Sequence, residues 1–100
     1  MTKKLAPVHP GDILLNDFLE PLELSANRLA KEIGVATPTV NEIVRGNKSV
    51  TAEMALRLAR YFNTSPELWM NLQTQYDIEI ARNKIAKKVQ RIAPREEEAA

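Results

Sequence analysis

The chain has 100 residues, 44% of them hydrophobic and 27% charged, with fourteen Lys and Arg against thirteen Asp and Glu for a net charge of +1; this suits one soluble globular domain with a small core, and bulk charge alone does not mark a nucleic-acid binder. There is no cysteine and His9 is the single histidine, which excludes disulfide scaffolds, Cys-ligated zinc, iron–sulfur clusters and thiol nucleophiles, and argues against multi-histidine metal sites and a Ser-His-Asp triad. Gly11, Gly34 and Gly46 are too scattered for a phosphate-cradling loop, and the apolar run Ile13-Leu14-Leu15 is too short for a secretion signal or membrane span, so the expectation is a cytoplasmic, non-enzymatic domain without cofactor or metal.

Pro7 and Pro10 make residues 1–9 an extended or loose segment, with His9 exposed on it. From Gly11 the pattern turns helical. Ile13, Leu14 and Phe18 share one face, Leu15 and Leu19 lie beside it, and Pro21 stops the helix. Asp12, Asp17, Glu20 and Glu23 give this helix an acidic outer face, and no pocket marks them as an acid–base pair. Ser25 caps a second helix whose buried stripe is Leu29, Ala30 and Ile33, and Gly34 ends it as a left-handed glycine. After Val35 and Ala36, Thr37-Pro38 reads as a cap followed by a proline at the first helical position. Val40, Ile43 and Val44 are the stripe of this third helix, which Gly46 closes. Asn47, Lys48 and Ser49 form a polar loop. Thr51 caps a fourth helix with the stripe Ala55, Leu58, Ala59 and Phe62, and Asn63-Thr64 is a short turn. Ser65-Pro66 then opens a fifth helix through Leu68, Trp69 and Leu72, free of Pro and Gly from Glu67 to Ala93. No segment alternates as a strand does. The predicted fold is all-α with five helices and an extended last one: a domain over 10–82 and a charged tail over 83–100, helical at its start.

The link between helices two and three carries the functional reading. A few residues with a left-handed glycine make two short helices cross steeply, as in a helix-turn-helix, here over about residues 25–45. Ala30, one turn before Gly34, is the small residue that such a crossing needs. The stripe of the third helix turns Thr37, Pro38, Thr39, Asn41 and Glu42 outward or toward the ends, where they are candidates for reading bases. Asn pairs with adenine, Glu accepts from cytosine and Thr meets the thymine methyl. Ser25, Asn27, Arg28, Arg45, Asn47 and Lys48 are the candidate phosphate contacts. The plain alternatives are an ordinary solvated helix face, a Ser25 that only caps, and basic residues scattered without purpose. A lone module of this kind buries little surface, so a two-fold dimer on a palindromic double-stranded operator is expected, with half-sites about 34 Å apart. Trp69, Leu72 and Tyr76 are its candidate seam, with Trp69 as plain core the alternative.

The window Ala26 to Arg45 resembles the helix-turn-helix of the phage-repressor-like (XRE) family, and the likeness runs on through GVATPTVNEIVRG and TAEMALRLARYFNTSPELW. HPGDILLNDFLEPLELS in front and SPELWMNLQTQYDIEIAR behind resemble the HigA, or VapI-like, antitoxins, so that the resemblance covers roughly residues 8–82. Many relatives place a serine cap where Ala36 stands, and Thr37 is then expected to take over the capping. The resemblance implies a phage-repressor-like fold and a small dimeric repressor. It also implies a RelE-like messenger-RNA-cleaving toxin, of the kind called HigB, that the protein neutralises while repressing its own operon. Two other functions stay open: a stand-alone XRE regulator without a toxin, and a partner-binding module with vestigial DNA binding.

The tail leaves three readings. Arg82, Lys84, Lys87, Lys88, Arg91 and Arg95 precede Glu96-Glu97-Glu98, and Ile85, Val89 and Ile92 form an apolar stripe among them. It is a docking helix for a partner, a DNA-contacting arm or a frayed end.

Overall fold

The computed structural model describes residues 6–96. Residues 1–5 of the opening segment and Glu97 and Glu98 of the acidic run lie outside the described residues. Helix α1 spans Pro10–Ile13 and continues without a break as a π-helical segment, Leu14–Leu19; α2 is Ala26–Ile33, α3 Thr37–Val44, α4 Ala52–Phe62 and α5 Pro66–Gln90. Among the described residues there is no strand, and no helix is long and apolar enough to cross a membrane.

Local chemistry accounts for most helix starts. Ser25 accepts a hydrogen bond from the Arg28 amide, Thr51 from that of Met54 and Ser65 from that of Leu68, each satisfying an amide that the first turn leaves without a partner. Helix α3 departs from expectation. Its N-cap is Ala36, which has no side chain to bond with, while Thr37 and Pro38 already lie inside the helix. Thr37 does not cap; its hydroxyl donates instead to Asn27 Oδ1 of α2, at 2.8 Å.

The first helix also differs from the regular pattern expected of it. The amide of Glu20 donates to Leu15 O and that of Leu24 to Leu19 O, both at 2.9 Å, bonds reaching back five residues rather than four. This wider winding brings residues five apart onto one side. Leu14 and Leu19 are therefore the buried pair, with Leu15 and Phe18 packed along the edge of the core.

The core lies where α2, α3, α4 and the first half of α5 meet, around Leu29, Val40, Ile43, Leu58 and Trp69. Trp69 is 0% exposed, its indole N–H donates to Thr64 Oγ1 at 2.9 Å, and its ring lies 5.2 Å from that of Phe18. A side chain with no surface left has nothing to offer a second copy, so Trp69 is removed from the dimer seam and assigned to the core. Helix α1 crosses the C-terminal end of α3 at backbone contact. A Cβ built on Gly11 would overlap Ile43 O and lie 2.7 Å from Ile43 C.

Helix α5 has 25 residues, a length of about 38 Å at about 1.5 Å per residue. Its described part buries only Trp69 and Gln73. Beyond Asp77 it leaves the body of the protein as an arm, with Ile78 48% and Val89 50% exposed. Ile85 departs from helical geometry, at φ −126° and ψ 21°, and bends the arm. The radius of gyration is accordingly 17.5 Å, against about 13 Å for a compact chain of this length.

Candidate nucleic-acid interface

The turn between α2 and α3 is built as its sequence requires. Gly34 takes φ +78°, and the amides of Gly34 and Val35 both return to Ala30 O at 2.9 Å, the paired bonds of a left-handed helix end. Ala30 is buried at that point. A second restraint comes from α4: Arg57 Nη1 donates to Ile33 O at 2.6 Å, and Nη2 to Glu53 at 3.2 Å. A guanidinium on the last carbonyls of α2 satisfies an acceptor and complements the negative helix end. Sequence reasoning missed Arg57. It flanks the stripe of Ala55 and Leu58, and only the position of the α2 terminus separates it from a surface arginine.

With about 3.6 residues per turn, burial of Val40 and Ile43 sets Pro38 and Arg45 at the centre of the outward face of α3. Both are exposed. Asn41 and Glu42 lie to either side, and Thr37 and Thr39 at the edges, all four half-buried. Asn41 borders a groove of about 440 Å³ between the π-helical segment and α3 that reaches Ser25 and Ala26. Thr39 borders a cleft of about 260 Å³ toward α4, beside Lys48, Ser49 and Thr51. Glu42 is engaged: it pairs with Arg45 at 3.2 Å and accepts from Asn47 Nδ2 at 3.4 Å.

The candidate phosphate contacts are exposed on the rim. Ser25 Oγ accepts from the Arg28 amide at 3.0 Å and keeps its own hydrogen for donation. Arg28 is paired with Glu32 at 2.8 Å, a solvated pair of small energetic weight. Asn27 is held by Thr37, so these two candidates brace each other across the α2–α3 pair. Asn47 and Lys48 stand in the loop after α3. Of the remaining seam candidates, Leu72 packs on the edge of the core and Tyr76 is half-buried.

Two buried polar residues behind the loop were not expected. His9 is 6% exposed, not free on a loose segment. It is the N-cap of α1, its Nδ1 accepting from the Gly11 amide at 2.8 Å, and its ring meets that of Tyr76 edge-on at 4.8 Å. Gln73 is 4% exposed; its Oε1 accepts from the Val50 amide at 2.7 Å, and its Nε2 donates to Asp77 at 2.9 Å. The His-Pro pair before a helical run was the one available signal for the cap; Gln73 had none.

The cap makes stability pH-dependent. Nδ1 accepts only while unprotonated. Burial holds the His9 imidazole below its usual value of 6.5, against the opposing pull of Asp12 and Asp77. The unfolded chain then binds the proton more readily, so His9 contributes stability above its ordinary value and loses it as pH falls toward the lower folded one. On going from about pH 7.5 to about pH 5.5, the melting temperature of the native chain is expected to fall further than that of His9→Asn, whose carbonyl can cap without titrating. Equal falls in a calorimetric pH series would refute this.

The helix-turn-helix family model matches residues 15–69. Virulence-associated protein I of Dichelobacter nodosus is 45% identical over 78 residues, covering 78% of this chain and 72% of that protein. The solved structure of the Pseudomonas aeruginosa antitoxin HigA with the higBA promoter has a TM-score of 0.87 at 43% identity, covering 90% of this chain and 99% of that one. The antitoxin GraA in complex with its operator likewise has a TM-score of 0.87, at 40% identity, over 98% of this chain and 99% of its own.

Proposed function

The chain belongs to the helix-turn-helix family, in a branch with HigA-like and VapI-like proteins, and from that membership we propose that it is a sequence-specific DNA-binding repressor and the antitoxin of a toxin–antitoxin pair. It acts in the cytoplasm as a binding protein, not an enzyme. The observation that carries the DNA half is the outward face of α3, clear of the core and set by a turn locked at Gly34, Ala30 and Arg57. Similar proteins have been solved with promoter or operator DNA. The toxin half rests on the relatives alone. A short RelE-like reading frame beside the gene, whose product co-purifies with this protein, is its test.

Asn41 and Arg45 separate reading from holding. Asn41→Ala is expected to weaken binding to the operator by about 1–3 kcal/mol and to random duplex hardly at all. Arg45→Ala breaks the pair with Glu42 and removes a phosphate contact, so it weakens both duplexes alike and lowers the salt slope by about one unit. Titrations on the two duplexes over a salt series decide it; equal losses for Asn41→Ala would misassign the reading face.

A two-fold dimer on a palindrome follows from the same reading. Its seam is assigned to the arm of α5 with Leu72 and Tyr76 at its base, because Trp69 is spent inside the core. Residues 83–90 belong to that same helix, so the division between domain and tail at residue 82 becomes one between body and arm near Asp77.

A further inference from the structure

The loop Asn47-Lys48-Ser49 joins α3 to α4, and all three residues are exposed. Both of its ends are fixed by one turn of α5. At the near end Gly46 lies against the His9 ring, a Cβ built there standing 3.7 Å from the imidazole, and His9 in turn meets Tyr76. At the far end the Val50 amide donates to Gln73. Gln73 and Tyr76 stand three residues apart and share a helix face. The carboxamide of Gln73 can point only one way: Val50 offers a hydrogen and must face the oxygen, while Asp77 offers a carboxylate and must face the NH₂.

We propose that Gln73 is a positioning residue for phosphate contact, fixing from α5 the place at which Lys48 stands beside the C-terminal end of α3. This rests on the reading of α3 as the DNA-facing helix. The Gln73 side chain is buried and touches no nucleic acid itself. Its bond to Val50 is the first backbone anchor after Asn47, whose own amide bonds back to Glu42. Without it, the Lys48 ammonium samples a wider range of positions and its phosphate bond is made at a larger entropic cost. A residue that merely stabilises the fold changes melting without changing what Lys48 contributes; a positioning residue changes both.

The test is a double-mutant cycle on the full chain, with a duplex of the promoter region upstream of its own gene. In the native background Lys48→Ala is expected to weaken binding about fivefold and lower the salt slope by about one unit. In the Gln73→Leu background the same change should cost less than about twofold, because coupled residues do not add. The pair Gln73→Glu with Asp77→Asn keeps an acceptor for Val50 and reverses the second bond, and it should return the Lys48 effect to about fivefold. An equal cost of Lys48→Ala in the native and Gln73→Leu backgrounds overturns the inference, as does no cost in either. Should Gln73→Leu fail to fold by circular dichroism, Gln73→Met takes its place; it keeps the length of the side chain and removes the acceptor for Val50, and an undiminished Lys48 effect there also overturns the inference. A native chain with no preference for the promoter duplex over random sequence refutes the DNA reading itself, a result distinguishable from all of these.

Discussion

Gly11→Ala is expected to destabilise the protein by about 3 kcal/mol, the upper end of what overpacking costs. The helix lies in ordinary negative-φ space here, since Gly11 is absent from the positive-φ positions, so a propensity argument alone would have alanine stabilise. Contact reverses the sign. The added methyl would meet Ile43 O, with Ile43 C at 2.7 Å and Val44 Cα at 3.0 Å, and all three are backbone atoms that no rotamer change can move. Relief requires α1 to lift off α3, which would uncover Leu14 and pull His9 from its place beside Gly46. Gly34→Ala supplies the contrast. There the φ of +78° is the problem, and the nearest obstacle is a side-chain atom rather than backbone, Arg57 Nη1 at 3.2 Å, so about 1–2 kcal/mol is expected. Urea unfolding of the two variants decides the order; Gly34→Ala as the more damaging change would mean that the α1–α3 approach yields more easily than its geometry implies.

The contrast between these glycines also marks what a sequence can disclose. Gly34 is legible because its task is local: a cap, a stripe and a stop signal lie within ten residues of one another. The caps at Ser25, Thr51 and Ser65 are legible for the same reason, and so is the outward face of α3, which follows from the spacing of Val40 and Ile43. Gly11, His9, Arg57 and Gln73 act at a distance. Arg57 reaches back 24 residues to Ile33, and Gln73 reaches 23 to Val50. Apolar periodicity is silent about them because each is small or polar and is placed by partners on other elements of the fold. Trp69 was ambiguous on the same ground: a helix stripe does not reveal whether its aromatic meets its own core or a second copy. Thr37 misled through rank order, since a threonine before a proline is a good cap unless the helix has begun one residue earlier.

Replacing Ile85 and Val89 together by Asp is expected to leave the protein folded and to lower operator affinity about a hundredfold or more, through loss of the dimer. Ile78, Ala81, Ile85 and Val89 line one open groove of about 470 Å³ along the arm, where single substitutions disturb no buried contact. Full burial of an Ile or Val contributes about 1.5–3 kcal/mol; a two-fold seam that collects these side chains with Ile92 from both copies can offset an association cost of about 4–15 kcal/mol. Charge opposes the pairing, since Arg82, Lys84, Lys87, Lys88 and Arg91 flank the stripe with no acidic residue among them. Two effects of salt then run in opposite directions. Added salt screens the repulsion between arms and tightens the dimer, while it weakens DNA binding by competing at the phosphates. The double substitution lowers the positive charge of each arm, so its loss of dimer comes from the lost apolar contact and the cost of burying carboxylates in its place, not from added repulsion between the basic flanks. Light scattering and operator titration on the same samples carry the test. A variant that remains dimeric yet no longer captures the toxin would reassign the arm to that partner, and one that remains dimeric with a reduced salt slope on DNA would make it a phosphate-binding arm.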